Sequence, residues 1–536
     1  MRTLLLLATA LLSLSAQAPP VAERPLRAHL AFLADDLLEG RGTGSRGGQL
    51  TVAYLEAQLR ALGLQPLPGG GYRHPVALTG LLVRPEATHL TFRPAQGKAL
   101  KPELGPELCI DAVVGTGRAQ ADQAFEAPLV FGGYGIQAPE EGWDDVKGAD
   151  LKGRVLLLLV NDPPTTPEAP DRFGGAAMTY YGRWVYKFEQ AARLGAAGVL
   201  LVHTDASATY GWGVVRNSFS GERFQAAERM GSPLEGWVSE AFARRLCAAA
   251  GQDLDALRQA AARADFRPVD LGVTVKGTLK AQVRSVQEAN VAGVLPGTDP
   301  ALKQEAVIFS AHWDHLGMDE ARVAAGKDGI YNGAVDNASG CAGLLAMAEA
   351  AAAAPPKRSL VFLFVCGEEH GLLGSAAWAA RPGWPLDRTA LVLNLDSLNP
   401  VGPTRDLSLQ GLPRTDLGPL ARATFQGLGL KLAPERPDLG GGYFRSDHFS
   451  FVRVGVPALS VGGGSDFLMG AEQARPLRQA FGRRYHQVDE AYDPAMDLRG
   501  MVQQAGAALT LGYAVANAPD RPRLTAPASP GWALRP

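Results

Sequence analysis

The chain has 536 residues, of which 46% are hydrophobic, so it is long enough for two or three compact units with their own cores. Its 52 lysines and arginines nearly balance its 54 aspartates and glutamates, for a formal net charge of -2, which gives no indication of a nucleic-acid partner. Four cysteines are too few for a disulfide framework, and we assign none of them to a metal.

The N-terminus has the pattern of a secretory signal. Arg2 precedes an apolar run over residues 4–14, and Ala16-Gln17-Ala18 precedes two prolines. We therefore predict a signal peptide over residues 1–18 and an exported protein, periplasmic or secreted. The apolar run is too short to span a bilayer, and no later run is long enough, so no membrane partner is expected.

A helical segment is predicted next. Residues 49–62 carry apolar side chains at helical spacing, and Gly63 supplies a C-terminal stop. Arg41 and Glu39 precede this helix. A turn contact or a salt bridge is the expected role of both, with a functional role as the alternative.

Residues 120–265 have the pattern of a separate, smaller, β-rich α/β unit. Short strands are predicted over residues 129–136, 152–160 and 198–202, with a helix over residues 186–198. We find no cluster of titratable ligands in this unit, and His203 is expected to be a surface or packing residue.

Residues 280–516 alternate strands with helices. Apolar strands are predicted near residues 306, 359, 390 and 456, with helices between them. This alternation predicts an α/β domain with a mostly parallel sheet that is covered by helices on both faces. Residues 517–536 contain five prolines and are predicted to form an extended end.

Acidic and imidazole side chains follow three of these predicted strands, where open parallel sheets bind ligands. In chain order they are His312, Asp314, Glu368, Glu369 and Asp396. Adjacent carboxylates repel each other unless a cation or a shared proton offsets the repulsion. Imidazoles combined with carboxylates suit zinc, and a carboxylate between two such ions can bridge them. Asp336 and His486 complete the candidate set.

Five motifs occur in the order seen in co-catalytic di-zinc aminopeptidases and glutamate carboxypeptidases. They are His312-Trp313-Asp314-His315, residues 333–340 around Asp336, residues 368–375 beginning Glu368-Glu369, Asn394-Leu395-Asp396, and Tyr485-His486. The chain therefore resembles that superfamily. The resemblance implies a zinc exopeptidase fold over residues 25–115 and 280–516, with residues 120–265 as an inserted protease-associated domain that shapes or covers the substrate cleft.

The resemblance also implies two Zn²⁺ ions per chain. His312 and Asp396 would bind one zinc, Glu369 and His486 would bind the other, and Asp336 would be shared. Imidazoles and carboxylates leave an open position for water, whereas four thiolates would close the site. His315 and His370 are given no role, because the motif positions are filled without them.

The remaining roles also come from the resemblance. Glu368 matches the general base that takes a proton from metal-activated water, and Asp314 matches a carboxylate that orients a ligand imidazole, with a turn cap as its alternative. Tyr443, His448 or Tyr485 could donate to the developing oxyanion or to the substrate, and the sequence does not choose among them.

The activity that the resemblance implies is exopeptidase cleavage of peptides, with an aminopeptidase as the first choice. A dipeptidase or carboxypeptidase is the alternative, although no basic motif identifies a pocket for a C-terminal carboxylate. A receptor-like, non-catalytic binding module is a further alternative that retention of Glu368 disfavours, and the inserted unit disfavours an aminoacyl cyclase. The aromatic loop over residues 171–186 binds substrate side chains or packs on the neighbouring sheet.

Overall fold

The computed structural model describes residues 18–104, 110–208, 210–435 and 437–525. The predicted signal peptide therefore lies outside the described residues except for Ala18, as do Cys109 and residues 526–536 of the predicted tail. In the part of the chain that the structure describes, no helix has the length and apolar character needed to cross a membrane.

Strands and helices alternate along most of the described chain. The strands are β1 (Arg73–Val83), β2 (His89–Pro94), β3 (Ala112–Gly115), β4 (Asp122–Phe131), β5 (Gln137–Ala138), β6 (Trp143–Asp144), β7 (Val155–Leu159), β8 (Gly198–His203), β9 (Arg223–Ala226), β10 (Leu234–Ser239), β11 (Val269–Leu295), β12 (Ala306–His312), β13 (Ser359–Val365), β14 (Thr389–Asn394), β15 (Asp406–Gln410), β16 (Lys431–Leu432) and β17 (Ala458–Gly462). The helices are α1 (Glu23–Leu33), α2 (Arg46–Ala61), α3 (Trp184–Arg193), α4 (Asp205–Ala208), α5 (Trp212–Ser220), α6 (Glu240–Ala249), α7 (Leu254–Ala261), α8 (Glu320–Ala324), α9 (Gly340–Ala352), α10 (Leu373–Ala380), α11 (Gly418–Gly427), α12 (His448–Val452), α13 (Ala471–Arg484) and α14 (Arg499–Asn517).

The centre of the larger domain is a run of parallel strands in the order β13-β12-β14-β17. Antiparallel strands flank this run: β15 pairs with β17 on one side, and the C-terminal half of β11 pairs with β13 on the other. The prediction of an α/β fold with a mostly parallel central sheet is confirmed, and its flanks are antiparallel.

Alternate residues of these strands point to opposite faces of the sheet. Phe309, Phe362 and Leu393 pack in a core with α1, α9 and α14, whereas Ile308 and Val361 pack in a second core with α10 and α12. Helices therefore bury both faces, which explains why the strands read as unbroken apolar runs.

A second sheet belongs to the smaller unit. Its parallel strands β4, β7, β8 and β10 are flanked by β3 and by the N-terminal half of β11. The 27-residue strand β11 thus takes part in both domains. The structure also moves a predicted boundary: β2 and β3, within residues 25–115 that we assigned to the catalytic domain, pair with strands of the smaller unit.

The aromatic loop of the smaller unit packs against the larger domain. Tyr180 is 2% exposed, and its ring centroid lies 5.1 Å from that of Phe449 and 5.9 Å from that of Phe444. Phe173 and Tyr181 are equally buried. These rings are therefore interface packing residues, which favours the packing interpretation of the loop over direct contact with substrate.

The described part of the tail, residues 518–525, lies against the domain without forming a helix or a strand. The Arg358 guanidinium donates to the carbonyl of Pro519 at 3.1 Å, and Thr525 donates its amide to the Arg414 carbonyl at 2.9 Å. Cys247, Cys341 and Cys366 are buried free thiols, as expected of small apolar side chains in a core.

Candidate metal centre

The site lies where the parallel strands end. His312 is the last residue of β12 and is in register with Val365, the last residue of β13. Glu368 and Glu369 follow β13, and Asp396 follows β14, so all of them lie at the carboxyl edge of one sheet. That edge is the usual ligand site of open α/β sheets.

Asp336 stands between two groups of donor atoms. Its Oδ1 lies 3.1 Å from Nε2 of His312, and its Oδ2 lies 3.0 Å from Nε2 of His486. Nε2 of His312 is also 3.4 Å from Oδ1 of Asp396, and Nε2 of His486 is 3.3 Å from Oε2 of Glu369. The structure thus brings all five predicted ligands together, with one Asp336 oxygen facing each group.

The donor atoms of each group are close enough to hold one cation. His312, Asp336 and Asp396 form the first group, and the second contains His315, Asp336, Glu369 and His486, with the atoms of each group within 4.8 Å of one another. Imidazole nitrogens and carboxylate oxygens are ligands that zinc and related divalent cations accept. The residues therefore fit a pair of neighbouring divalent ions.

The electrostatics of the second group favour anionic carboxylates, which bind a cation, but also a protonated His486, which does not. Burial and the Asp336 charge act to raise the pKa of Glu369, but His486 and His315 outweigh them and lower it to about 2. Burial acts to lower the pKa of His486, but Glu369 and Asp336 raise it to about 10. The carboxylates are therefore anionic, and a proton on His486 competes with a metal for its nitrogen.

Two buried side chains fix the loop that carries Asp336. The Arg41 guanidinium donates to the carbonyls of Leu33, Trp313, Asn332 and Gly333 at 2.5–3.0 Å. Arg41 is 1% exposed, so it has a positioning role in the site. This outcome agrees with the expected structural contact, although its partners are carbonyls and not an acid.

Glu490 fixes the same loop from the other side. Its Oε1 accepts the backbone amides of Val335 at 3.1 Å and Asp336 at 2.8 Å. Gly333 precedes these residues at a φ of +53°, where a Cβ would collide with the carbonyl oxygen of Asp336. The sequence analysis named Arg41 without placing it in the site and missed Glu490, because most of their partners are main-chain atoms far along the chain.

The orientation of His312 differs from the prediction. Its Nδ1 lies 3.1 Å from the carbonyl oxygen of Asp314, whereas the Asp314 carboxylate is 3.9 Å away. A carbonyl can only accept, so Nδ1 carries the proton and Nε2 faces the carboxylates. Asp314 therefore orients the imidazole through its backbone, and its carboxylate accepts the amide of Glu368 at 3.1 Å instead.

Asp396 is held by a short chain of hydrogen bonds. Ser446 Oγ donates to Oδ2 of Asp396 at 2.6 Å, and Asn394 Nδ2 donates to Ser446 Oγ at 2.7 Å. Ser310 Oγ donates in turn to Oδ1 of Asn394 at 2.7 Å. The Asp396 oxygen that faces His312, Oδ1, takes no part in this chain and accepts from Ser397 Oγ at 3.4 Å.

Glu368 faces the cavity outside both donor groups. It lines a cavity of about 270 Å³ together with His312, Asp336 and Asp396. Burial, supported by the charges of Asp396 and Glu369, raises the pKa of Glu368 well above its usual value despite the opposing effect of His312. A carboxylate with a raised pKa is suited to accept a proton and to return it.

His315 belongs to the site although the sequence analysis gave it no role. Its Nδ1 lies 2.7 Å from Oε1 of Glu369, and its buried Nε2 has no hydrogen-bond partner among the described residues. Its position three residues after His312, at the same strand end, was the available signal. His370 lies apart from these groups, with its ring 4.8 Å from that of Phe224.

The three predicted substrate residues separate into two classes. Tyr485 lines the cavity and stacks on His486 with a centroid distance of 3.9 Å. Tyr443 and His448 are buried at 4% and 0% exposure and pack on each other, and neither is among the described residues that line the cavity. Of the three candidates, Tyr485 is therefore the one that lies at the cavity in this structure.

Comparisons with known proteins agree with this architecture. Residues 290–509, which contain both donor groups and Glu368, match the model of peptidase family M28. An aminopeptidase from Aneurinibacillus sp. strain AM-1 is similar in fold, with a TM-score of 0.52 and 18% sequence identity over 93% of this chain and 95% of that one.

Two further solved structures are similar at lower scores. BSAP, a zinc aminopeptidase from Bacillus subtilis, has a TM-score of 0.46 and 18% identity over 92% of this chain and 94% of its own. A peptidase M28 precursor from Shewanella amazonensis has a TM-score of 0.45 and 16% identity over 94% and 97%. No curated protein matches the chain significantly in sequence. Residues 290–509, which match the family M28 model, carry all five motifs of the sequence analysis.

Proposed function

We propose that the protein is a zinc-dependent aminopeptidase that holds two zinc ions and removes residues from the N-termini of peptides. The observation that carries this proposal is the position of Asp336, whose two oxygens face His312 and His486 at 3.1 and 3.0 Å. A carboxylate so placed, with one acid and one imidazole on each side, has the arrangement of a bridging ligand. The aminopeptidase from Aneurinibacillus sp. strain AM-1, which is similar in fold, supports this proposal.

His312 and Asp396 would hold one zinc, and Glu369 and His486 would hold the other, with Asp336 shared. His315, 2.7 Å from Glu369, orients that carboxylate. When bound, zinc lowers the pKa of water and polarises the peptide carbonyl.

Glu368 is the proposed general base. It lines the cavity without belonging to either donor group, so its carboxylate is free to take a proton from the attacking water and to deliver it to the leaving amine. The Asp314 carboxylate holds the Glu368 backbone amide at 3.1 Å and thereby sets where the base points.

The charge and size of the cavity support an exopeptidase acting at an N-terminus. Asp336 and Asp396 are proposed zinc ligands, so Glu368 is the carboxylate of the lining that remains to bind a substrate ammonium group. A volume of about 270 Å³ suits the end of a peptide. Retention of Glu368 beside the full donor set argues against the non-catalytic binding module.

Two further parts of the proposal rest on the sequence. The pattern of residues 1–18 supports export to a periplasm or to the medium. The β-rich texture of residues 120–265 supports a protease-associated domain, and the burial of Tyr180 against Phe449 supports its role as a fixed wall of the cleft.

One digestion experiment tests the function. A peptide set with free and with acetylated N-termini is incubated with the protein, with and without a chelator, and the products are identified by mass spectrometry. The proposal requires that only the free-amine peptides shorten from the N-terminus and that the chelator stops the reaction. Shortening from the C-terminus would indicate a carboxypeptidase instead. Cleavage that continues in the presence of the chelator would show that the activity does not depend on a metal.

A further inference from the structure

The acidic cavity also contains a cation. Arg445 lines it, next to Ser446, whose hydroxyl bonds Asp396. Apart from His312, which belongs to the first donor group, the rest of the non-acidic lining is uncharged: Ser397, Gln410, Gly442, Ser446, Ser460 and Tyr485. Among the lining residues, Arg445 is therefore the one that can bind an anion as an ion pair.

A second guanidinium, from the smaller unit, lies beside Arg445. Arg445 Nη2 donates to the carbonyl of Gly440 at 2.6 Å, and Arg183 Nη1 donates to the same carbonyl at 3.5 Å. The ring of Tyr210, also from the smaller unit, lies 5.9 Å from the Arg445 guanidinium carbon. Two like charges thus share one neutral acceptor at the rim of the cavity.

These charges have no carboxylate in ion-pair contact among the described residues. Arg183 is 7% exposed, and its Nε has no hydrogen-bond partner there. Burial and the Arg445 charge lower the pKa of Arg183 to about 10. The nearby Asp438 already accepts the amide of Tyr443 at 2.7 Å and the Gln410 side chain at 3.3 Å.

Two neighbouring cations that are partly removed from water repel each other unless an anion binds between them. No carboxylate of the described residues forms an ion pair with either guanidinium, but a carboxylate of a bound peptide can. A planar guanidinium is the side chain best shaped to bind a carboxylate through two parallel hydrogen bonds. The ammonium end of the same substrate would be held at the acidic part of the cavity.

We propose that Arg445, supported by Arg183 of the smaller unit, binds a carboxylate on the leaving side of the substrate. The proposal rests on the proposed function and narrows its substrate class. The protein then prefers dipeptides with a free C-terminus, or peptides with an acidic second residue, over neutral ones. It also gives the smaller unit a part in specificity, through Arg183 and Tyr210.

The test compares matched substrates with the full-length, metal-loaded protein. The first pair is a dipeptide Xaa-Ala and its amide, where Xaa is the N-terminal residue that the wild type removes fastest. The second pair is Xaa-Asp-amide and Xaa-Asn-amide, which places the carboxylate on the side chain. We expect kcat/KM to favour the carboxylate by about tenfold to a hundredfold in one pair, as a charge-assisted hydrogen bond provides, and the pair that responds identifies the source.

Two variants of Arg445 and one control complete the design. Arg445→Gln should bring the carboxylate-to-amide ratio close to one, and Arg445→Lys should keep part of the preference, because it retains the charge without the planar fork. Arg475→Gln, an exposed residue of α13 that loses the same charge, should keep the wild-type ratio. Arg445 is itself exposed, so its variants are expected to fold, which a thermal melt checks.

The outcomes separate this proposal from the function. If the wild type cleaves both members of each pair equally well, or if Arg445→Gln keeps the preference, the carboxylate site is wrong and the aminopeptidase stands. If the wild type cleaves no free-amine peptide at all, the proposed function fails.

Discussion

The carboxylate of Asp314 accepts a hydrogen bond from the backbone amide of Glu368, with 3.1 Å between oxygen and nitrogen. Asp314 is fully buried, and burial raises its pKa to about 7. The contact ties the end of β12 to the turn after β13, so the proposed base is placed by its main chain while its side chain stays free to exchange protons.

Glu368→Ala should abolish turnover while metal content stays near that of the wild type, because Glu368 is not a proposed ligand. Loss of a general base costs about 10²- to 10⁴-fold in rate. Metal content is measured by mass spectrometry of the purified protein, and peptide cleavage by product analysis. Glu349→Ala, which removes an exposed acid from α9, is the control and should change neither. A Glu368→Ala protein that lost its metal would show that this residue is a ligand.

Asp336→Ala should release both metal ions, since its two oxygens face the two donor groups. Glu369→Ala should lower the content of one ion, because only the second group contains that side chain. The measurement is metal content per chain after gel filtration, with two ions expected in the wild type. Unchanged occupancy in both variants would place the metal site elsewhere.

Arg41→Met should destabilise the fold by at least about 3 kcal/mol, because it leaves several buried carbonyls without a donor. It should also lower metal content, since Arg41 fixes the loop before Asp336. Arg46→Met is the matched control: Arg46 makes an exposed ion pair with Glu39 at 2.8 Å, worth less than about 1 kcal/mol. Equal effects of the two substitutions on thermal unfolding and metal content would contradict the role of Arg41.

His448 should make the protein less stable in mild acid. Burial lowers the pKa of His448 from 6.5 to about 4, so between these values the unfolded chain binds a proton that the folded chain does not. The free energy of unfolding therefore falls as the pH falls through this window, by about 1.4 kcal/mol per pH unit. In His448→Phe, the loss of stability between pH 7 and pH 4.5 should be smaller by about 2–3 kcal/mol.

Denaturant unfolding at the two pH values measures this difference. The comparison uses the change with pH in each protein, so a packing cost of phenylalanine cancels. His370, whose pKa is also lowered to about 4 by burial, is present in both proteins and cancels as well. An identical pH dependence in the two proteins would mean that His448 is not the buried, neutral side chain of this structure.

The sequence predicted best the features that are encoded within one strand and the residues next to it. Each of β12, β13 and β14 is an apolar run followed directly by an acid or imidazole, so the sheet and the clustering of His312, Glu369 and Asp396 could be anticipated. The long β11 could not, because its first half alternates buried and exposed residues while its last residues, from Val291, are continuously buried, and its partners are distant in the chain.

The supporting contacts were also beyond the sequence. Arg41 and Glu490 bond main-chain atoms that lie far from them in sequence. Such contacts leave no sequence motif. Asp314 was assigned to the His312 side chain from its two-residue spacing, but only the fold shows that the backbone carbonyl reaches Nδ1 first. Tyr443 and His448 are close in sequence to residues of the site, yet their side chains are buried in the core.

Anomalous scattering from crystals grown with zinc tests the central claim most directly. Data collected above and below the zinc absorption edge should show two neighbouring peaks at the carboxyl edge of the sheet. One peak should lie beside His312 and Asp396, the other beside Glu369 and His486, and an oxygen of Asp336 should contact each. A single peak that does not touch Asp336, or zinc bound only at other residues, would contradict the two-metal account.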